Sequence, residues 1–113
     1  MNTRDQPSSL SARLAVQLAL SLSAGCRCEK LRASLIAEAR ALGLTTGEIE
    51  ASRQYRSFDV RDAAALKLAL ALHQGAADVQ VHRAKAESVG MSANLIAAVE
   101  QFGRDFARRL ESL

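Results

Sequence analysis

The chain has 113 residues, enough for one domain that buries roughly two thirds of its unfolded surface, so it needs neither a disulfide framework nor a structural metal to fold. Apolar residues make up 49% and aromatics only 4%, with no Trp, so the core must be built from Leu, Ala, Val and Ile, a palette that favours helices. The net charge of +3 is interspersed rather than gathered, which reads as solvated helix faces and argues against nucleic acid, and the longest uncharged run, Leu14–Cys26, is too short to span a membrane.

Residues 1–7 are polar and are expected to form a flexible N-terminus before a single domain over 8–113. Ser8 or Ser9 is placed to cap a first helix running to about Ala24, with Leu10, Leu14, Leu18 and Leu22 on one stripe and Ala15, Val16, Ala19 and Leu20 covering much of the rest. Gly25 breaks it. A second helix spans about Cys28–Leu42 and stops at Gly43. Thr45 and Glu48 have the spacing of a capping box for a short third helix, Thr46–Arg53. Asp59 caps a fourth, Val60 to about His73, apolar nearly all round and closed by Gly75. A fifth, Ala77–Val89, is more polar and stops at Gly90. Ser92 caps the last, Ala93–Leu110, whose Leu95, Val99, Phe102, Phe106 and Leu110 form an inner stripe.

Two phrases recur. QLALSLSAG (Gln17–Gly25) is echoed by KLALALHQG (Lys67–Gly75), and ARALGLTTGEI (Ala39–Ile49) by KAESVGMSANLI (Lys85–Ile96), with Gly43 opposite Gly90. The expected fold is therefore all-α, about six helices arranged as two repeated antiparallel hairpins. The recurrence also bears on Arg4, Arg13, LAVQLALSLSAG and Cys26, which together have the look of a lipoprotein-type leader. The same phrase recurs mid-chain, so a repeated structural helix accounts for both copies. Two helices apolar on nearly every side exceed what a monomer this size encloses, which predicts a homo-oligomer with part of the first or fourth helix at the subunit contact.

The halves differ in chemistry. Gly25 to Gly43 is 18 residues and Gly75 to Gly90 is 15, and the longer limb opens with the only cysteines, Cys26 and Cys28. Two thiols so close do not make a scaffold and fit a cytoplasmic thiol protein. On one helix, residues two apart face opposite ways, so a Cys26–Cys28 bridge requires Cys26 to lie in a non-helical turn after Gly25. Such a bond would be strained and easily reduced.

LSLSAGCRCEKLRASLIAEARALGLTTGEI, then RDAAALKLALAL and GMSANLIAAVEQFGRDF, resemble the alkyl hydroperoxidase D/carboxymuconolactone decarboxylase family over about Leu10–Leu110. That resemblance implies an all-helical, oligomeric protein. In the family's peroxidase branch it implies Cys-x-x-Cys-x-x-x-His at a helix start and a Glu on the preceding helix. Aligned back from Gly43–Leu44, Cys28 takes the place of the first cysteine, Leu31 of the second, Leu35 of the histidine and Val16 of the glutamate. Aligned forward from Gly25, Cys26 comes first and is followed by Glu29 and Ala33 at the other two positions. Either way the chain departs from the pattern. The function expected is a thiol-dependent oxidoreductase reducing peroxide or a disulfide, with Cys28 as nucleophile, Cys26 as resolving thiol, a thiol reductant as partner and no cofactor. The first alternative is a catalytically degenerate module of the same fold, whose Leu31, Leu35 and Val16 line an apolar pocket for a small ligand.

A second alternative is a helix-turn-helix, suggested by the spacing of Ala39, Gly43, Leu44 and Ile49. Ser52 breaks its apolar pattern, and Glu48 and Glu50 balance Arg53 and Arg56 on the helix that would read DNA. His73 and His82 have no metal-ligand spacing to the cysteines and read as surface residues. Arg104, Arg108 and Arg109 read as the wet face of the last helix.

Overall fold

A computed structural model describes residues 10–25 and 28–112. The expectation of a flexible stretch at 1–7 lies outside the described residues, which are all-helical with no strand: α1 (Ala12–Leu22), α2 (Glu29–Ala41), α3 (Thr46–Arg53), α4 (Val60–Gln74), α5 (Val79–Ser88) and α6 (Ala93–Glu111).

Short polar side chains start four of these helices by satisfying otherwise orphaned amides. Thr45 and Glu48 close the capping box reciprocally, the Glu48 amide donating to Thr45 Oγ1 at 3.1 Å and the Thr45 amide to Glu48 Oε1 at 2.8 Å. Asp59 accepts from the Arg61 and Asp62 amides, and Ser92 from that of Leu95. The first helix departs from expectation: Ser11, whose Oγ accepts from the Leu14 amide at 3.0 Å, is its cap. Several serines stood in a row there, and only the geometry of the first turn selects one.

Four helices stop in the same way. After α2 the Leu44 amide donates to the Ala39 carbonyl and the Gly43 amide to Arg40; after α5 Met91 and Gly90 do the same to Ala86 and Glu87. Ala76 and Gly75 close α4, and Arg56 and Tyr55 close α3. This closure needs a left-handed residue just past the helix, supplied by Gly43 (φ 91°), Gly75 (φ 64°) and Gly90 (φ 98°), but by Tyr55 (φ 63°) after α3. At the two related turns Ala39 and Ala86 are fully enclosed, with Leu44 and Met91 buried next to the closure.

The core forms where α1 packs on α2, α3, α4 and α6, and α4 on α1, α5 and α6. Leu18, Leu20, Leu66 and Leu68 lie at its centre, and Ile49, Ile96, Val99 and Phe106 close it from α3 and α6. Neighbours surround α1 so fully that its buried set runs unbroken from Val16 to Leu22. α4 buries Ala64, Ala65, Leu66, Leu68, Ala69 and Ala71 but leaves its opposite side open.

α1 and α3 approach through small polar residues. Ser52 is fully enclosed and Ser21 likewise. Ser21 Oγ donates to the Ser52 carbonyl at 2.6 Å, and Ser52 Oγ back to the Glu48 carbonyl at 3.0 Å. The buried hydroxyls are therefore satisfied, and the serine that interrupts an apolar pattern is a register lock between two helices.

Candidate functional site

The first half carries the chain's thiols. Gly25 ends a turn after α1, and α2 begins at Glu29, so Cys28 is the N-cap residue with extended backbone (φ −78°, ψ 99°) rather than the first residue of the helix. Its carbonyl accepts the first bond of that helix, from the Arg32 amide at 3.1 Å. Cys28 is half-buried against the core and sits at the positive end of a 13-residue helix dipole, with Lys30 and Arg32 in the first turn and Glu29 opposing them. Cys26, and with it the Cys26–Cys28 pair, lies outside the described residues.

The three positions at which the resemblance would look for a second cysteine, a histidine and a glutamate are core positions. Leu31 and Leu35 form the inner face of α2, and Val16 belongs to enclosed α1; they are 9%, 5% and 2% exposed. Together they make a dry wall that can neither donate nor accept a proton. Among the described residues no three of His, Cys, Asp and Glu gather as a metal would require, and no helix is long and apolar enough to cross a membrane. His73 is exposed, and His82 Nε2 lies 3.3 Å from Asp78. Arg108 pairs with Asp105, and Arg109 stands over the Phe106 ring at 5.8 Å.

The helix-turn-helix positions are also occupied by folding. Ala39, Gly43, Leu44 and Ile49 build the α2–α3 turn, while Glu48 pairs with Arg13 at 2.5 Å and Glu50 with Arg53 at 3.3 Å. The Thr45 amide holds the Glu48 carboxyl below its ordinary range, and the Arg13 guanidinium adds to this.

One polar constellation was not anticipated. Gln17 is the single amide inside the apolar α1 phrase and is 4% exposed. Its Nε2 donates to Asp62 Oδ2 at 3.2 Å and to the Arg13 carbonyl at 3.3 Å. Burial pushes the Asp62 carboxyl above the usual carboxylate range; the bond from Gln17 opposes this and the nearby Asp59 reinforces it. Asp62 and Asp59 line a small cleft with Ser11, Leu14 and Leu95, where the starts of α1 and α4 meet α6. A polar residue in the middle of a largely apolar helix was the signal, but its partner 45 positions away was not legible.

No protein-family model, curated protein or solved structure matches the chain.

Proposed function

We propose that this chain is a thiol-dependent oxidoreductase of the alkyl hydroperoxidase D-like kind, with Cys28 as nucleophile and Cys26 as the resolving thiol. The observation that carries the reading is the placement of Cys28 outside α2, on extended backbone after the turn at Gly25. The helical bar to a bridge between residues two apart does not apply to an N-cap residue.

In the reaction, the Cys28 thiolate attacks one oxygen of a peroxide, the O–O bond breaks, and an alkoxide or hydroxide leaves and takes up a proton. Cys28 is then a sulfenic acid. The Cys26 thiol attacks its sulfur, expelling water and closing a disulfide. An external dithiol reduces that disulfide by exchange and becomes oxidised itself. Leu31, Leu35 and Val16 supply no proton transfer, so turnover is slower than a site with a positioned base would give, by a factor of about 100 or more. A pair that must return to the dithiol fits the reducing cytoplasm.

The enclosed Leu31, Leu35 and Val16 favour one rival, a fold of the same kind that has shed its chemistry and serves binding or assembly. Peroxide consumption with a dithiol reductant separates the two. The natural chain should turn over, Cys28→Ser should lose at least about 100-fold, and Cys26→Ser should stall as a sulfenic acid trapped by dimedone. Two thiols that survive excess peroxide unchanged, located by peptide mass spectrometry, end the redox reading.

A further inference from the structure

The open side of α4 is a groove with a defined pattern. Val60, Ala63, Lys67, Leu70 and Gln74 are spaced three and four apart, the a/d rhythm of a helix seam, and the structure leaves all five at least partly exposed, Val60 at 65%. Three clefts adjoin one another here, two of them lined by this stripe. One, toward α3, is lined by Gly47 and Phe58 and shares Ser57 with the next. That next one, between Val60 and Lys85 of α5, shares Lys67 and His82 with the third, which reaches Leu70 and Gln74 beside Tyr55. From Val60 to Gln74 the floor is about 21 Å long. Its outer edge is apolar too, with Phe58 at 76% exposure.

Charge selects the occupant. Of the acidic residues along the groove, Glu50 is paired with Arg53, and Asp78 lies at the far end, 3.3 Å from His82 Nε2. Lys67, Lys85 and Arg56 have no carboxylate partner among the described residues. A second copy laid antiparallel over the same stripe would put its two-fold axis at the central residue, Lys67 against Lys67, which disfavours self-pairing. Tyr55 adds a separate pointer: it stands in the left-handed position that glycine fills at the three other closures, and the strain is retained where its side chain walls the groove.

We propose that the α4 groove docks an amphipathic helix of a different protein, one with apolar residues at heptad spacing and a carboxylate at the middle of its seam, set between Lys67 and Lys85. The mode is helix-in-groove, with small Ala63 permitting close approach and the two ammonium groups fixing register.

The test uses the full chain and a synthetic helical peptide of about 15 residues, with Leu at the a and d positions and Glu at the central a position, carrying a fluorophore for anisotropy. The peptide should bind saturably, and Lys67→Glu should weaken it by at least about tenfold. The peptide with Lys in place of that Glu should prefer the Lys67→Glu protein, a rescue that no folding defect imitates. Cys28→Ser should leave all of this unchanged, which keeps the groove and the thiol reading independent. Any of four results overturns the proposal: no binding at millimolar peptide, binding indifferent to the charge swap, a dimer by sedimentation that Ala63→Arg splits, or capture by phosphatidylserine vesicles that the peptide does not compete with.

Discussion

The two halves share a local grammar and differ in how much of it is covered. Both have an apolar helix, a second helix closed on a left-handed glycine with a buried alanine two positions inside its end, and a third helix capped by Thr or Ser. In the first half the apolar helix α1 is surrounded by four others, and polarity survives inside it only as Gln17 and Ser21, each hydrogen-bonded. In the second half α4 has three neighbours and keeps a solvent-facing seam. Similar sequence phrases thus serve as a core strut in one place and as a surface in the other. Hydrophobic content alone does not say which, because the outcome depends on how many other helices reach that face.

The comparison is sharpest at the two apolar helices. Leu18→Ala, at the centre of α1 and fully enclosed, should lower the unfolding free energy by about 3 kcal/mol, whereas Leu70→Ala on the open side of α4 should cost under about 1 kcal/mol. Urea unfolding of both variants checks this. Equal losses would mean that α4 is covered in solution, and would return the homo-oligomer expected from composition as the occupant of that face.

A smaller effect separates the helix closures. A Cβ at Gly43 or Gly90 would meet nothing within 4 Å, so Gly→Ala at either reports backbone strain alone, a loss of about 1 kcal/mol. Tyr55→Gly should do the reverse and stabilise by up to about 1 kcal/mol, while weakening the groove peptide. A Tyr55→Gly protein less stable than the parent would show that the ring contributes more to the fold than its backbone strain removes.

The smallest effects are titrations of opposite sign across α1. The native state holds the Asp62 proton more tightly than the unfolded chain does, so Asp62 contributes stability below its ordinary 3.8 and loses it as pH rises through the raised native value. Asp62→Asn, which still accepts from Gln17, should therefore raise Tm at neutral pH, with the gain vanishing in acid. Glu48, held low chiefly by the Thr45 amide, contributes stability above its ordinary 4.5 and loses it as pH falls through the lowered native value. Glu48→Gln should lower Tm at neutral pH, with the difference closing in acid. Thermal melts from pH 3 to 7 read both; parallel shifts of the same sign would refute the burial argument for Asp62.

The class of fold, the six helices and most of their ends were legible in the sequence because they rest on local physics. Apolar spacing, Thr45 with Glu48, Asp59, Ser92 and the three left-handed glycines act within a turn or two of themselves. The cysteines stood out in the sequence as a close pair confined to the first half, and the off-helix place of Cys28 followed from where α2 starts, one residue later than its apolar pattern suggests. Tertiary structure alone decided that Leu31, Leu35 and Val16 are sealed in the core, that Gln17 meets Asp62, that Ser52 is a buried lock, and that α4 rather than α1 keeps an open seam. Each of these depends on which helix faces which across tens of residues, and a one-dimensional pattern records the apolar side of a helix without recording what comes to cover it.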